Sequence, residues 1–172
     1  MNQTTTDHVP FSAEMQAQFA REVAKFPPAH AQSAVMACLS IIQDERGWVS
    51  RAAEDELAAY LGMAPIAVYE VTTFYNMYNQ QPVGKFKLNV CTNLPCQLRD
   101  GQAALAHICK KLDVAVGGTT ADGQFTVQQS ECLGACADAP VMLVNDRTMC
   151  SFMSADKLDQ LIDGLRKAEG VA

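Results

Sequence analysis

No apolar run in this sequence approaches the ~18–20 residues that a bilayer-spanning helix needs, so direct membrane insertion is not expected. There is no basic stripe either. Thirteen Lys and Arg stand against 19 Asp and Glu, a net charge of −6, which argues against a nucleic-acid partner. No G-x-G-x-x-G and no P-loop occurs, so the chain carries no recognisable nucleotide site of its own. The absence of any C-x-x-C argues against a thiol–disulfide enzyme. No nucleophile, acid or base constellation is visible, and no catalytic residue is expected. Internal repeats and low-complexity segments are also missing.

What the chain does have is a core. Hydrophobic residues make up 49% and charged residues 19%, a balance that supports a packed fold. Residues 1–10 read as a flexible polar tail without the apolar centre of a signal peptide, and a cytosolic location is expected. In a reducing compartment the seven cysteines point to metal or redox chemistry rather than to a disulfide framework.

The first half reads as helical. Phe11, Met15, Phe19 and Val23 recur four apart, on one face of a helix that Pro27-Pro28 ends. Val35, Leu39 and Ile42 mark a second helix closed by Gly47. Ser50 caps a third over 51–61, and Gly62 stops it. Pro65 opens a fourth, in which Val68, Val71, Tyr75 and Tyr78 keep helical spacing. Residues 11–80 therefore form a four-helix unit, and Gln81-Pro82-Val83-Gly84 is a linker. The aromatic residues Phe74, Tyr75 and Tyr78 have two readings, a face for a partner or the inside of the bundle.

After the linker the period changes. Phe86–Cys91 alternates as a strand does, and a helix follows over 98–113. Phe125–Ser130 is a second strand. Ala139-Pro140 is a break, Val141–Val144 a third strand, and Met149–Met153 its hairpin partner. Ser154 caps a last helix with Leu158, Leu161, Ile162 and Leu165 inside. The fold class is α+β, a helical bundle followed by a small sheet with helices on it.

Four cysteines stand out. Cys91-Thr-Asn-Leu-Pro-Cys96 and Cys132-Leu-Gly-Ala-Cys136 each follow a predicted strand end, where a sheet fixes one ligand and a loop wraps the ion. Four converging thiolates suit a structural zinc or a small iron–sulfur cluster, and spacing alone leaves [2Fe–2S] and zinc both open. Chance is the competing explanation for one such pair and a much poorer one for two. Gly134 lets the backbone come close to sulfur, where N–H groups can donate to it. If the site is empty, Cys91–Cys96 and Cys132–Cys136 are open to disulfide formation. Cys38, Cys109 and Cys150 read as core or edge residues. His8, His30 and His107 fall outside both loops, so the two-histidine ligation of a Rieske centre is not expected.

These residues resemble a known family. C-T-N-L-P-C, T-T-x-D-G-x-F-T, E-C-L-G-A-C-x-x-A-P and V-N-D are similar to the small [2Fe–2S] subunit of bacterial NADH:quinone oxidoreductase (respiratory complex I), the E-type or 24-kilodalton chain equivalent to mitochondrial flavoprotein 2. R-G-W-V at 46–49, V-T-T-F-Y at 71–75 and Q-P-V-G at 81–84 extend the likeness over about residues 11–167. The resemblance implies a thioredoxin-like ferredoxin domain over 85–167 behind a partner-docking helical bundle over 11–80. It implies one [2Fe–2S] cluster on Cys91, Cys96, Cys132 and Cys136. It also implies a flavoprotein partner that binds NADH and FMN, within a peripheral arm on the cytoplasmic side of the inner membrane. A cluster of this type has a potential near about −400 mV, in range of a reduced flavin. The same module occurs in soluble NAD-linked hydrogenases and formate dehydrogenases, which is the alternative assignment. A free-standing ferredoxin and a zinc-stabilised binding module are the other classes.

Overall fold

The computed structural model describes residues 10–169. The tail expected over 1–10 lies outside the described residues, apart from Pro10. The chain divides after Pro82 into two compact units.

The first unit is helical: α1 (Ala13–Val23), a 3₁₀ segment (Pro28–Ala34), α2 (Val35–Arg46), α3 (Arg51–Leu61) and α4 (Pro65–Phe74). Local chemistry sets most of these ends. Ser12 and Ser50 accept hydrogen bonds from the backbone N–H groups of Met15 and Ala53 at 3.1 and 3.2 Å, each satisfying an orphan donor of a first turn. Gly47 and Gly62 close α2 and α3 in the left-handed conformation. Met15, Phe19, Cys38, Leu39, Ile42, Leu57 and Val68 are fully buried in one core, each large apolar side chain contributing roughly 1.5–3 kcal/mol.

The fourth helix is shorter than its apolar spacing predicts. It stops at Phe74, and Tyr75 is extended. Long-range bonds draw the chain off the helix. Gln43 Nε2 donates to the Met77 carbonyl at 2.8 Å, while Gln43 Oε1 accepts from Asn79 N–H at 2.6 Å. Tyr78 then turns inward, its hydroxyl donating to the Met36 carbonyl at 2.9 Å. Thr72 and Thr73 also donate to the Tyr69 carbonyl from their side chains, competing with the helix backbone. The two readings of the aromatic segment therefore divide. Tyr78 is core, whereas Phe74 is 79% exposed and stacks edge-on against Tyr75.

The second unit is a four-stranded sheet with two long helices. Its elements are β1 (Phe86–Cys91), α5 (Leu94–Gln97), α6 (Gly101–Leu112), β2 (Phe125–Ser130), β3 (Met142–Val144), β4 (Thr148–Cys150) and α7 (Ala155–Glu169). The strand order is β2-β1-β3-β4. The pair β1–β2 is parallel, from Phe86 opposite Phe125 to Cys91 opposite Ser130; the other two pairs are antiparallel. Leu88 and Val90 of β1 meet Leu105 and Ile108 of α6 and Leu158 and Ile162 of α7 in one core. Strand alternation puts Lys87, Asn89 and Cys91 on the opposite face. Lys87 is buried there and paired with Asp146 of the β3–β4 turn, which also accepts from Asn89. Asn145 secures the same turn, its Oδ1 accepting from Lys87 N–H at 2.7 Å.

Two boundaries differ from expectation. The helix predicted over 98–113 is split: α5 covers Cys96, Asp100 breaks the chain with a φ of 67°, and α6 begins at Gly101. The last strand ends at Cys150, because the N–H groups of Phe152 and Met153 leave the ladder for the carbonyls of Asp138 and Pro140.

Candidate metal centre

Parallel pairing carries β1 and β2 to the same end of the sheet, and the two cysteine loops leave from that end. Cys91 is the last residue of β1 and Cys96 lies in α5; they are 2% and 1% exposed and pack with Ala139 and Val141. Cys132 and Cys136 follow β2 and are both exposed, their sulfurs 3.7 Å apart.

The loops are tied to each other. Asn93 Nδ2 donates to Glu131 Oε2 at 2.8 Å, Gln129 Nε2 donates to Thr92 Oγ1 at 2.7 Å, and Thr92 N–H donates to the Ser130 carbonyl at 3.2 Å. Asn93 also caps α5 by accepting from Leu94 N–H at 2.9 Å. Beneath the first loop, α6 comes very close. A Cβ on Gly101 would stand 2.8 Å from the Cys96 carbonyl oxygen and 2.9 Å from that of Cys91, so only glycine fits.

Backbone donors reach the sulfurs in both loops. Gly134 N–H points at Cys132 Sγ at 3.5 Å. Gly134 has a φ of 78° and open space around its missing Cβ, so the turn conformation requires glycine there, not crowding. Burial pushes the Cys96 thiol up, as do Cys91 and Cys136, while the Val141 backbone hydrogen bond pulls it down. The Cys136 thiol is raised first by its hydrogen bond with Cys132, then by burial and by Cys91. Each pair therefore feels the other. Burial and neighbouring sulfurs disfavour the thiolate at Cys96 and Cys136, and a cationic centre reverses that, since it binds the deprotonated form.

Among the described residues no three His, Cys, Asp or Glu side chains close around one point tightly enough for a single ion. The cysteines are arranged as two neighbouring pairs. A two-iron cluster takes two protein ligands on each iron, whereas zinc needs four at one tetrahedron. The all-thiolate donor set fits a [2Fe–2S] group, with Cys132 and Cys136 already a close pair.

Sequence reasoning missed the supporting residues. Asn93, Glu131, Gly101 and Val141 act through contacts between separate segments, which no spacing along the chain shows. The remaining cysteines lie apart from these loops: Cys38 is fully buried and its thiol is pushed up to about 11, while Cys109 and Cys150 are half-buried and raised by burial. His107 faces Asp159 of α7 at 2.8 Å.

The chain is similar to known proteins over most of its length. The family model described as thioredoxin-like [2Fe–2S] ferredoxin matches residues 19–166. The mitochondrial NADH dehydrogenase [ubiquinone] flavoprotein 2 of Dictyostelium discoideum is 38% identical over 162 residues, covering 90% of this chain and 65% of that one. NADH-quinone oxidoreductase subunit 2 of Thermus thermophilus is 37% identical over 143 residues, covering 83% of this chain and 79% of the relative. Among solved structures, an NAD⁺-reducing [NiFe]-hydrogenase in its H₂-reduced state superposes with a TM-score of 0.66 at 22% identity. That match covers 77% of this chain and 22% of the hydrogenase chain, and it shows the shared fold.

Proposed function

We propose a function from the premise that this chain belongs to the thioredoxin-like [2Fe–2S] ferredoxin family: it is the one-electron carrier subunit in the NADH-oxidising module of an NADH:quinone oxidoreductase. The observation that carries this is the pair of cysteine loops tied together at one end of the β1–β2 sheet. Cys91, Cys96, Cys132 and Cys136 are the cluster ligands. When bound, the cluster supplies reversible one-electron transfer, exchanged with the FMN of a partner flavoprotein subunit that also binds NADH.

The chain's own residues hold and shield that group. Cys91 and Cys96 lie in an apolar layer that keeps water from the inner side, while Cys132 and Cys136 leave the outer side open to a partner. The backbone donor of Gly134 stabilises negative charge on sulfur, as does the Val141 hydrogen bond at Cys96, which raises a reduction potential relative to bare thiolates. Gly101 and the Asn93–Glu131 bond fix the loop spacing.

No helix among the described residues is long and apolar enough to cross a membrane. The chain is assigned to the peripheral arm of the complex, on the cytoplasmic side of the inner membrane, with the rest of the arm as partners. It is thus a subunit of an oxidoreductase without a substrate site of its own. The exposed Phe74–Tyr75 pair, with Ile66, is the docking face of the helical unit. The diaphorase of a soluble hydrogenase or formate dehydrogenase is the alternative. The relatives at 38% and 37% identity are named as NADH dehydrogenase and NADH-quinone oxidoreductase chains, which favours the complex I assignment.

The test is reconstitution with the NADH- and FMN-binding flavoprotein subunit. NADH should then produce the reduced-cluster EPR signal of this chain, and a Cys132→Ser variant should change it. A loaded chain that neither binds the flavoprotein nor gains a signal on NADH addition would sink the assignment.

A further inference from the structure

We propose that Cys132 and Cys136 form a redox lock in the cluster-free chain. A low-molecular-weight disulfide such as glutathione disulfide closes a bond between them, Cys91 and Cys96 remain thiols, and the closed chain accepts no cluster until it is reduced. This rests on the reading that all four thiols are cluster ligands.

The asymmetry between the pairs carries the inference. Cys132 and Cys136 are exposed, with sulfurs 3.7 Å apart. A disulfide needs about 2 Å, so each sulfur travels less than about 1 Å. The intervening loop can yield: it turns at Gly134, whose surroundings are open. Cys91 and Cys96 are 2% and 1% exposed. Their backbone is held by the Cys91 N–H to Val141 carbonyl bond at 3.1 Å, and it rests against Gly101 of α6. A tripeptide disulfide has no approach to them. The sequence alone treats the two pairs as equivalent, and the fold makes only the outer one reactive.

The exchange balances in two steps. Cys132 Sγ, the sulfur that accepts from Gly134 N–H, attacks one sulfur of glutathione disulfide. That S–S bond breaks, one glutathione leaves, and Cys132 carries the other as a mixed disulfide. Cys136 Sγ then attacks the Cys132 sulfur and displaces the second glutathione. Two electrons pass from the cysteines to glutathione disulfide, and the two cysteine protons end on the departing glutathione sulfurs. The product has lost two of its four metal-binding sulfurs, so loading depends on the thiol poise around the newly made chain.

The experiment uses the full chain, freed of cluster anaerobically with a chelator, reduced, and exposed to glutathione disulfide. Alkylation and trypsin follow. Cleavage after Lys87, Arg99, Lys111 and Arg147 leaves Cys91 with Cys96 on peptide 88–99, and Cys132 with Cys136 on peptide 112–147. Mass spectrometry should find 112–147 internally oxidised and 88–99 doubly alkylated. Cys136→Ser should stop at the mixed disulfide on Cys132. Uptake of iron and sulfide by the oxidised chain should be lost, and dithiothreitol should restore it. A disulfide within 88–99, a bond joining the two peptides, or a lasting glutathione adduct on the unaltered chain would overturn the lock. A closed Cys132–Cys136 bond with undiminished uptake would overturn the ligand reading of that pair, and the lock with it.

Discussion

Two glycines in helices of the ferredoxin-like unit should respond to alanine with opposite signs. At Gly101 the new Cβ would meet the Cys96 carbonyl oxygen at 2.8 Å and the Cys91 carbonyl oxygen at 2.9 Å. These neighbours are backbone and cannot rotate away, so both cysteine-bearing segments must move by about half an ångström. Overpacking of this kind costs roughly 1–3 kcal/mol, offset by less than about 1 kcal/mol of gained helix propensity. A net loss of about 1–2 kcal/mol should lower the unit's Tm by roughly 4–16 °C, taking about 4–8 °C per kcal/mol for a domain of this size. Gly164, in α7, has nothing within 4 Å of its missing Cβ. Alanine there should add about 0.5–1 kcal/mol and raise Tm by a few degrees. Scanning calorimetry of the reduced, cluster-free chain reads both changes. Gly101→Ala should also shift the spectrum of the loaded protein, and Gly164→Ala should not. If Gly101→Ala raises Tm as Gly164→Ala does, the contact between α6 and the cysteine loop is not what makes that position glycine.

The aromatic segment offers a second contrast. Tyr78→Ala should cost about 3–5 kcal/mol of stability in the helical unit, since it empties a core site and removes the hydroxyl bond to the Met36 carbonyl, which keeps only Ser40 Oγ as a side-chain donor, measurable as lost thermal stability. Phe74→Ala should leave Tm unchanged and weaken binding to the flavoprotein subunit by about 1–3 kcal/mol in a titration. Removing the loop tie with Asn93→Ala should destabilise by about 1–2 kcal/mol, because a capping bond and the Glu131 bond go together, and should speed cluster loss to a chelator. The Asp159 carboxyl is held below its ordinary range by hydrogen bonds from His107 and then Lys111. Its contribution is therefore present above the ordinary carboxylate pKa and is lost as the pH falls through the lowered folded value. Asp159→Asn should flatten the acid limb of the stability–pH curve; a limb that stays as steep would show that other groups set it.

The parts legible in the sequence were those fixed by near neighbours. Ser50 and Gly62 bound α3 because a cap and a left-handed stop act within one turn. The alternation of β1 delivered Cys91 to a strand end. The end of α4 was not legible, because Gln43 and Met36 decide it from more than thirty residues away. The break at Asp100 was hidden for the same reason: the carbonyls of Cys91 and Cys96 that crowd Gly101 are identified only in three dimensions. Cysteine spacing brought out four candidate ligands but left zinc and iron open. The family match over residues 19–166 favours iron, and the difference in exposure between the pairs appears in no motif.

The central claim is that Cys91, Cys96, Cys132 and Cys136 hold a two-iron cluster that carries one electron. It is tested most directly by a visible spectrum and low-temperature EPR of the full chain, purified without oxygen, before and after dithionite. The predicted result is brown protein, silent when oxidised, with a rhombic one-electron signal after reduction that is lost or altered in each of the four Cys→Ser variants. Colourless protein with stoichiometric zinc and no signal would contradict the claim and leave the chain a metal-stabilised scaffold.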